Sequence, residues 1–444
     1  MKWIVIAFFL LKLTIVNAQD LTVVAIGDAS LEREKIVFVE PEISGKLSKP
    51  HKSMVREFYN LLKSDFSHYR LKFEVVSRKS VKTDVFGKPE FAKLASNKIG
   101  YVVFMEATKA GAGDFLIKLK AFGVGSESLL LSDEVSTGKS NLRKRGHIYT
   151  DKLYRSITGK KSIFTSFIIF VSDRTGYGDK ILKELYIMDF DGHNKKRLTH
   201  HNGMVISPSI SSNNRYILYS MISDNVSRKR NIDLYLYDRR SKKSRLLSSR
   251  KGINSGAVFL PDGKNIAVTL THTGNAEIYS LNLKSGLLRR ITRHYAIDVD
   301  PSVNNDGSIM SFLSGRSGKA HIYTLDPKGT EKNVRRISFV GMFNATPRFS
   351  PDGKNIAFAS WMDGHFDIFR IGANGKNLVR LTKNFGSNED PTWSADGQFI
   401  AFSSQRVISR TKATHNIYLM DKDGEIIGPV TKSFGSCITP RWSR

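Results

Sequence analysis

Residues 347–360 of this 444-residue chain read PRFSPDGKNIAFAS, and residues 391–404 read PTWSADGQFIAFSS. Related segments begin at four further positions, so that equivalent residues recur every 44 to 49 positions: Pro208, Ala257, Pro301 and Pro440. A repeat of about forty to fifty residues built from short strands and turns is typical of the blades of a β-propeller.

Each repeat predicts four strands. The first is short, as in Thr346 to Ser350, and ends at an Asp-Gly turn, which is a strong hairpin signal. The second alternates apolar residues, the third carries an Ile-Tyr pair such as 278–279, and the fourth ends in Leu-Thr or Ile-Thr, as at 381–382. Helical periodicity is absent from this part of the sequence.

The two ends of the repeat region complement each other. FIIFVSD from residue 167 and the segment from residue 184 supply strands two to four with no first strand before them, whereas PRWSR at 440–444 supplies a lone first strand. Joining these ends would remove the open sheet edges that promote aggregation. We therefore predict an all-β six-bladed propeller over residues 165–444, closed by pairing of Pro440–Ser443 with Ile168–Val171.

Residues 19–160 have a different pattern of apolar residues and predict an N-terminal α/β domain. Helical spacing of apolar residues covers 54–66 and 142–158, with Thr158-Gly159 as a stop signal. Strand-like segments are LTVVAIG from 21, KIVFVEP from 35, YRLKFEVV from 69, IGYVVFMEA from 99 and FLIKLKAFG from 115.

Residues 1–18 predict a secretory signal peptide. Lys2 precedes an apolar run from Trp3 to Val16, and Val16-Asn17-Ala18 provides a small-residue cleavage site before Gln19. A retained membrane anchor is less favoured because Lys12 interrupts the run. A lipoprotein is less favoured because position 19 is not Cys. We expect an exported mature chain that is not transmembrane.

The composition excludes several classes of protein. With 40% apolar and 25% charged residues, the chain is neither disordered nor fibrous. The 69 Lys and Arg against 41 Asp and Glu give a net charge of +28. The basic residues are spread along the chain, which disfavours a basic stripe that binds nucleic acid. Association with anionic envelope components stays open. The lone Cys437 excludes a disulfide framework and Cys-based metal sites.

The sequence contains no catalytic constellation of a known type. G-x-S-x-G, HExxH and P-loop motifs are missing. His200-His201 is interpreted as a loop pair, the Asp-Gly motifs at 189–192 and 421–424 as turns, and Trp393 and Trp442 as core residues. We expect no catalytic residue, no cofactor and no metal.

Loops that join the fourth strand of one blade to the first strand of the next surround the channel mouth of a propeller and favour recognition. We expect them to lie outside the strands and to include the following residues: Asn254, Gly256, Asp298, Val299, Asp300, Asn344, Thr346, Asn388, Glu389, Asp390, Ile438 and Thr439.

The stretch LRKRGHIYTDKLYRSITGKKSIFTSFIIFVSDR, from Leu142 to Arg174, resembles the junction between the N-terminal domain and the first blade in the TolB family. These are exported propeller proteins of the Tol–Pal envelope system. The order of signal peptide, two-layer domain and six repeats is also similar. Residues 19–26 match only loosely, and the chain is unusually basic for this family.

The resemblance implies a monomeric, non-enzymatic periplasmic adaptor that supports outer-membrane integrity and constriction during cell division. Its implied partners are the Pal lipoprotein at the propeller mouth and a TolA-type protein at the N-terminal segment, through strand addition. The implied Pal face is Asn254, Gly256, Asp298, Val299, Asp300, Thr346, Glu389 and Asp390. The implied TolA segment is Gln19, Asp20, Leu21, Thr22, Val23 and Val24, which could equally form the first strand of the domain.

Two other functions stay open. A propeller-based hydrolase or lyase would need clustered His, Asp or Glu with perturbed pKa values in the channel. A carbohydrate or peptidoglycan binder would need aromatic platforms on the mouth loops, where the segments quoted above contain few aromatic residues.

Overall fold

A computed structural model describes residues 33–443, apart from residues 46, 85–86, 112–113, 177–181, 223–230 and 410–411. The expected signal peptide, 1–18, and the segment Gln19–Val24 lie outside the described residues. In the part of the chain that is described, no helix is both long and apolar enough to cross a membrane.

The N-terminal domain is a mixed sheet covered by helices. Its strands are β1 (Glu34–Val39), β2 (Glu42–Ile43), β3 (Phe73–Arg78), β4 (Ile99–Ala110), β5 (Asp114–Gly123) and β6 (Ser128–Thr137). Its helices are α1 (Lys49–His68), α2 (Phe91–Ser96) and α3 (Leu142–Thr158). The sheet order is β3-β1-β4-β5-β6, with β2 beside β4, and β1 runs parallel to β3 and β4.

Local sequence explains both long helices. In α1, buried apolar side chains recur at helical spacing, including Val55, Phe58, Leu62 and Phe66. Helix α3 ends where Gly159 adopts a left-handed φ of 70° and donates its N–H to the Arg155 carbonyl. The helix expected over 142–158 is thus confirmed, whereas β6, an edge strand beside β5 with a mostly polar second half, was missed.

The propeller follows α3 and consists of short antiparallel strands. Three strands come first: β7 (Phe167–Ser172), β8 (Glu184–Asp189) and β9 (Lys196–Arg197). The next eight are β10 (Met204–Ile210), β11 (Tyr216–Ile222), β12 (Ile232–Asp238), β13 (Lys243–Ser248), β14 (Asn254–Phe259), β15 (Asn265–Leu270), β16 (Glu277–Asn282) and β17 (Leu288–Arg290).

The remaining strands complete six sheets. They are β18 (Asp298–Val303), β19 (Met310–Ser314), β20 (His321–Leu325), β21 (Arg335–Arg336), β22 (Phe343–Phe349), β23 (Asn355–Met362), β24 (His365–Gly372), β25 (Val379–Arg380), β26 (Ser387–Trp393), β27 (Phe399–Ser409), β28 (Lys412–Asp421), β29 (Ile426–Pro429) and β30 (Cys437–Trp442). Blade I is β30-β7-β8-β9, and blades II to VI are the successive groups of four from β10 to β29. The expected six-bladed propeller with an N-terminal α/β domain is confirmed.

The Leu-Thr or Ile-Thr ending of the repeat stabilises the blade through a side-chain hydrogen bond. In five blades, the hydroxyl of this Thr or its Ser equivalent accepts a backbone N–H from the third strand, with distances of 2.8 to 2.9 Å: Thr199, Thr292, Ser338, Thr382 and Thr431. Thr292 also donates to fully buried Glu277, which pairs with Arg290 at 2.8 Å. The outermost strand of each of these blades is therefore anchored by a side chain as well as by its short ladder.

The first strands of the blades, β30, β10, β14, β18, β22 and β26, surround the central axis and contact one another. Each contains a bulge in which one residue adopts a left-handed backbone with φ between 49° and 63°: Ser207, Gly256, Asp300, Thr346, Asp390 and Thr439. Proline follows in five of the six strands. Proline is tolerated there because the bulge removes the need for a ladder N–H.

Strand β30 closes the ring by pairing with β7. Ile438 lies opposite Val171, and Trp442 lies opposite Ile168. The Trp442 indole is 4% exposed and donates to the Ser166 hydroxyl at 2.7 Å. The predicted closure between the two ends of the repeat region is confirmed.

The N-terminal domain contacts blades I and VI through a partly polar interface. The Tyr69 hydroxyl donates to the Asp396 carboxylate at 2.6 Å, and its ring packs on Phe399. Arg143 pairs with Asp191, the middle acid of one of the Asp-Gly turns.

A buried histidine lies within this interface. His147, 4% exposed, has Nδ1 at 3.0 Å from Asp65 Oδ2 in its own domain and Nε2 at 3.6 Å from Asp191 Oδ2 of the propeller. Burial and Arg143 lower its pKa, but the hydrogen bond to Asp65 and the charges of both carboxylates outweigh them, so that the pKa of His147 is raised. Protonated His147 therefore links the two domains.

We expect that Trp442→Ala destabilises the protein by about 3–5 kcal/mol, because it leaves a cavity where β30 closes the ring. Urea unfolding monitored by circular dichroism measures the loss. Trp361→Ala is the matched control, since Trp361 is 37% exposed. Equal stability of the two variants would contradict the closure model.

We expect the free energy of unfolding to fall as pH rises above the ordinary histidine pKa of 6.5 and through the raised folded-state pKa of His147. The charged form is stabilised only in the folded state, so its contribution is complete below pH 6.5 and is lost above the folded pKa. Urea unfolding from pH 5.5 to 8.5 should show this loss in the wild type and in the exposed-site control His200→Gln, but not in His147→Gln. An unchanged pH profile in His147→Gln would rule out this link.

Candidate functional site

The propeller has two different faces. The turns between first and second strands and between third and fourth strands lie on one face, here called the base, where Asp396 and Asp191 meet the N-terminal domain. The connections between blades and the hairpins between second and third strands lie on the other face, here called the mouth. Among the residues that the structure describes, the hydrogen bonds and ion pairs named above between the two domains lie on the base.

The expectation that the mouth residues lie outside the strands is wrong. Asn254, Gly256, Asp298, Val299, Asp300, Thr346, Glu389 and Asp390 all belong to the innermost strands β14, β18, β22 and β26. These strands begin several residues before the Pro-led motif because the bulge lets the chain continue its ladder across that position. The eight residues consequently differ in environment according to their place relative to the bulge.

Asn254 and Asp298, two residues before the bulge, have structural contacts. Both are 0% exposed. The side-chain amide oxygen of Asn254, Oδ1, accepts the Ser248 hydroxyl at 2.6 Å, and Asp298 pairs with Arg316 at 2.6 Å. We therefore correct the Pal-face assignment and leave both residues out of the candidate surface.

Val299 and Glu389, one residue before the bulge, lie between blades. Val299 packs against the core cluster that contains Phe358. The equivalent positions of the other four strands hold Ile206, Ala345 and Ile438, which pack against apolar clusters or neighbouring strands, and Ser255. Glu389 thus places a carboxyl where the repeat usually has an apolar side chain, and neither residue fits the expected loop position.

The environment of Glu389 changes its acidity. Burial and the neighbouring charge of Asp390 raise the pKa of Glu389 to about 7. Both causes penalise the ionised carboxylate. At neutral pH, a substantial fraction of Glu389 is protonated in the folded protein.

Gly256, Asp300, Thr346 and Asp390 are bulge residues and therefore share one level of the channel. Asp300 pairs with Arg348 at 3.0 Å. The hydroxyls of Thr346 and its equivalent Thr439 are buried and have no hydrogen-bond partner among the described residues. The repeat register thus does bring four of the proposed Pal-face residues together, around the channel and not on loops.

Two arginines lie two residues beyond the bulge and were missed by the sequence analysis. At this level the six strands carry Ser209, Val258, Ser302, Arg348, Thr392 and Arg441. Burial, and secondarily Arg348, lowers the pKa of Arg441 to about 10. Aligning the repeats at the residue after proline would have revealed this pair.

The mouth also exposes large apolar side chains on blades IV and V. Exposed fractions are 86% for Tyr295, 60% for Met342, 50% for Phe339, 47% for Ile297, 41% for Phe343 and 37% for Trp361. Phe366 connects two of them, with ring centroids 6.0 Å from Phe343 and 5.0 Å from Trp361. We call these six exposed residues the apolar mouth patch. The expectation of few aromatic residues at the mouth is wrong. The connections between blades begin directly after Thr292 and Ser338, and their aromatic residues precede the repeat segments on which the expectation was based.

Metal-ligand side chains converge once among the described residues, at His147, Asp189 and Asp191, whose donor atoms lie within 4.8 Å of one another. Arg143 pairs with Asp191, and the Asn194 amide donates to Asp189. The cluster therefore already has cationic and neutral partners from the protein. His200 and His201 do not converge, because His200 is exposed and His201 bonds Tyr219 at 2.7 Å.

These features define a two-domain propeller protein, with an α/β domain on the base and an accessible mouth. The chain belongs to the TolB beta-propeller family: the family model for the TolB beta propeller domain matches residues 154–347 and 338–444.

Individual relatives agree with this placement. The chain is 28% identical over 341 residues to the Tol-Pal system protein TolB of Francisella tularensis subsp. mediasiatica, covering 74% of this chain and 75% of that protein. The protein of the same name from F. tularensis subsp. tularensis is 27% identical, with 74% of each chain covered. The crystal structure of TolB from Acinetobacter baumannii has the same fold, with a TM-score of 0.76 at 24% identity, and covers 93% of this chain and 97% of its own.

We expect Glu389→Gln to remove a pH-dependent loss of stability. Between pH 4.5, the ordinary glutamate pKa, and about pH 7, folded Glu389 binds more protons than unfolded Glu389, so wild-type stability falls as pH rises. Urea unfolding at pH 5, 6, 7 and 8 should therefore show a growing advantage of the variant towards pH 7. The control Glu134→Gln changes an exposed residue of the N-terminal domain. A constant difference between Glu389→Gln and the wild type across this range would refute the assignment.

Proposed function

We propose that this protein is a non-enzymatic periplasmic adaptor of the Tol–Pal system. In this role the propeller mouth binds the Pal lipoprotein, the N-terminal segment binds a TolA-type protein, and the complex supports outer-membrane integrity and constriction during division. Membership of the TolB family and relatives named Tol-Pal system protein TolB support the proposal.

The apolar mouth patch is the single observation that best supports a protein partner. Solvent-exposed apolar clusters of this kind mark interaction sites, and Tyr, Trp, Phe and Met are enriched at protein interfaces. Two members of the patch belong to a blade, since Phe343 and Trp361 face each other in the ladder between β22 and β23. The other four lie in the connections between blades, next to this ladder in sequence or at the preceding connection.

The channel residues Gly256, Asp300, Thr346 and Asp390 complete the proposed Pal surface. Asp300 and Asp390 are partly buried acids beside the mouth of a strongly basic chain. A partner side chain that enters the channel would meet these carboxylates and the unpartnered Thr346 hydroxyl. The patch would supply affinity, and the channel would supply selectivity for polar groups.

The segment Gln19–Val24 is proposed as the TolA-binding element. Leu21, Val23 and Val24 suit strand addition to a sheet edge. The segment could exchange between a docked and a released state. If Pal binding shifts that exchange and so changes the affinity for TolA, then TolA binding must change the affinity for Pal by the same factor.

The aromatic side chains of the patch also favour a second function, binding of peptidoglycan fragments. Tyr295 and Trp361 are exposed rings of the type that stack on sugars. Titration of the protein with peptidoglycan fragments tests this second function.

We expect the double variant Tyr295→Ala/Met342→Ala to bind a purified soluble Pal domain about 30-fold or more weakly, since hot-spot truncations cost about 2 kcal/mol or more. Isothermal titration calorimetry of the full mature chain measures this. The matched control is Leu287→Ala, which removes an apolar residue that is 73% exposed on the base face.

Undiminished affinity in the double variant would place the Pal site elsewhere. Absence of Pal binding by the wild type would reject the adaptor proposal. Binding of peptidoglycan fragments that is lost in the double variant, without Pal binding, would establish the glycan function instead.

A further inference from the structure

The channel contains a cavity of about 240 Å³ on the base side of the bulge residues. Its walls include Arg348 and Arg441, the hydroxyl residues Ser302 and Thr392, and the indoles of Trp393 and Trp442. The cavity is separate from the apolar mouth patch, which lies at the opposite end of the channel. It combines two cations, hydroxyl groups and aromatic walls in one small volume.

Arg441 is a buried cation that makes no direct ion pair within the described residues, although the charges of Asp390 and Asp300 act on it from farther away. The residue is 8% exposed, and within residues 33–443 as described no carboxylate oxygen lies within 4.0 Å of its guanidinium. Its Nη1 donates to the Pro440 carbonyl at 2.7 Å. Because no carboxylate contacts the guanidinium directly, the remaining donors of Arg441 are available to an external anion.

Arg348 supplies a second, partly used guanidinium. Its Nη2 donates to Asp300 at 3.0 Å, and its Nη1 donates to the Pro347 carbonyl at 2.6 Å, which mirrors the Arg441 contact to Pro440. Its Nε is buried and has no partner among the described residues. Asp300 is the only carboxylate in direct contact with either arginine in that part of the chain, and Asp390 interacts electrostatically with both.

The hydroxyl groups at the same level are oriented by the backbone. Ser302 Oγ accepts the Phe349 N–H at 3.2 Å, and Thr392 Oγ1 accepts the Trp442 N–H at 3.2 Å. Because each oxygen already accepts a hydrogen bond, its proton is available for donation to a ligand. The indole N–H groups are engaged elsewhere, with Ser166 for Trp442 and the Arg348 carbonyl for Trp393, so these rings offer apolar surface.

We propose that this cavity is a binding site for a small oxyanion, a carboxylate or a phosphate group, held by Arg441 and Arg348 and by the hydroxyls of Ser302 and Thr392. Guanidinium groups bind both kinds of oxyanion through paired hydrogen bonds. The aromatic walls accommodate the apolar body of an organic anion. The site does not depend on the proposed Pal or TolA interactions, because it lies on the base side and uses other residues.

The test measures thermal unfolding and calorimetric binding of the full mature chain with inorganic phosphate and, separately, with succinate. Sodium chloride of matched ionic strength is the reference. Binding to the folded state alone raises the melting temperature with ligand concentration. We expect such a rise for at least one of the two anions, and the comparison identifies whether phosphate or carboxylate is preferred.

Arg441→Gln should abolish the anion-dependent rise. The melting temperature of this variant in sodium chloride serves as the reference for its own anion-dependent change. Arg441→Lys retains the charge but lacks the planar donor pair, and we expect at least tenfold weaker binding. Arg335→Gln on an exposed strand edge is the matched control and should bind as the wild type does.

A wild-type protein that responds to neither anion beyond the sodium chloride reference would overturn the proposal. So would retention of full binding by Arg441→Gln or, if that variant does not fold, by Arg441→Lys.

Discussion

The pairing of β30 with β7 joins the two ends of the propeller, and every other feature of the molecule rests on it. Without this ladder, β7 would be an open sheet edge, and the six inner strands would not surround a channel. The bulge level, the arginine level and the mouth connections all keep their spacing because the ring is closed. Trp442 strengthens the closure by packing beside Phe399 of blade VI and bonding to Ser166 before β7.

The repeat register explains why the fold was predictable and the site was only partly so. The Asp-Gly turns, the apolar alternation and the Leu-Thr endings are local patterns, and each corresponds to a contact within one blade, such as that of Thr292. The grouping of Asp300, Asp390, Arg348 and Arg441 is different in kind. It depends on a bulge that shifts the inner strand by one residue. The spacing of the repeat motifs does not predict the position of this bulge.

Other misses also have physical causes. Strand β6 has three leucines near its start, Leu129–Leu131, but its second half is mostly polar because alternate side chains of this edge strand are exposed, so it lacks the longer apolar run by which the neighbouring strands were found. The exposed aromatics Tyr295 and Phe339 lie in connections where no packing rule applies. The role of Asp191 in domain contact was hidden because an Asp-Gly turn accounts for the same residues without a partner.

The position of β30 in the chain has a consequence for biosynthesis. Phe167 and Ser443 are hydrogen-bonded although they are 276 residues apart in sequence. A ribosome releases all other described strands of the propeller before β30 emerges, so blade I stays incomplete while the rest of the ring is being made. Long-range pairings of this kind slow folding. The nascent chain therefore remains unfinished and accessible to chaperones until its last strand is available, which favours folding after synthesis over folding during it.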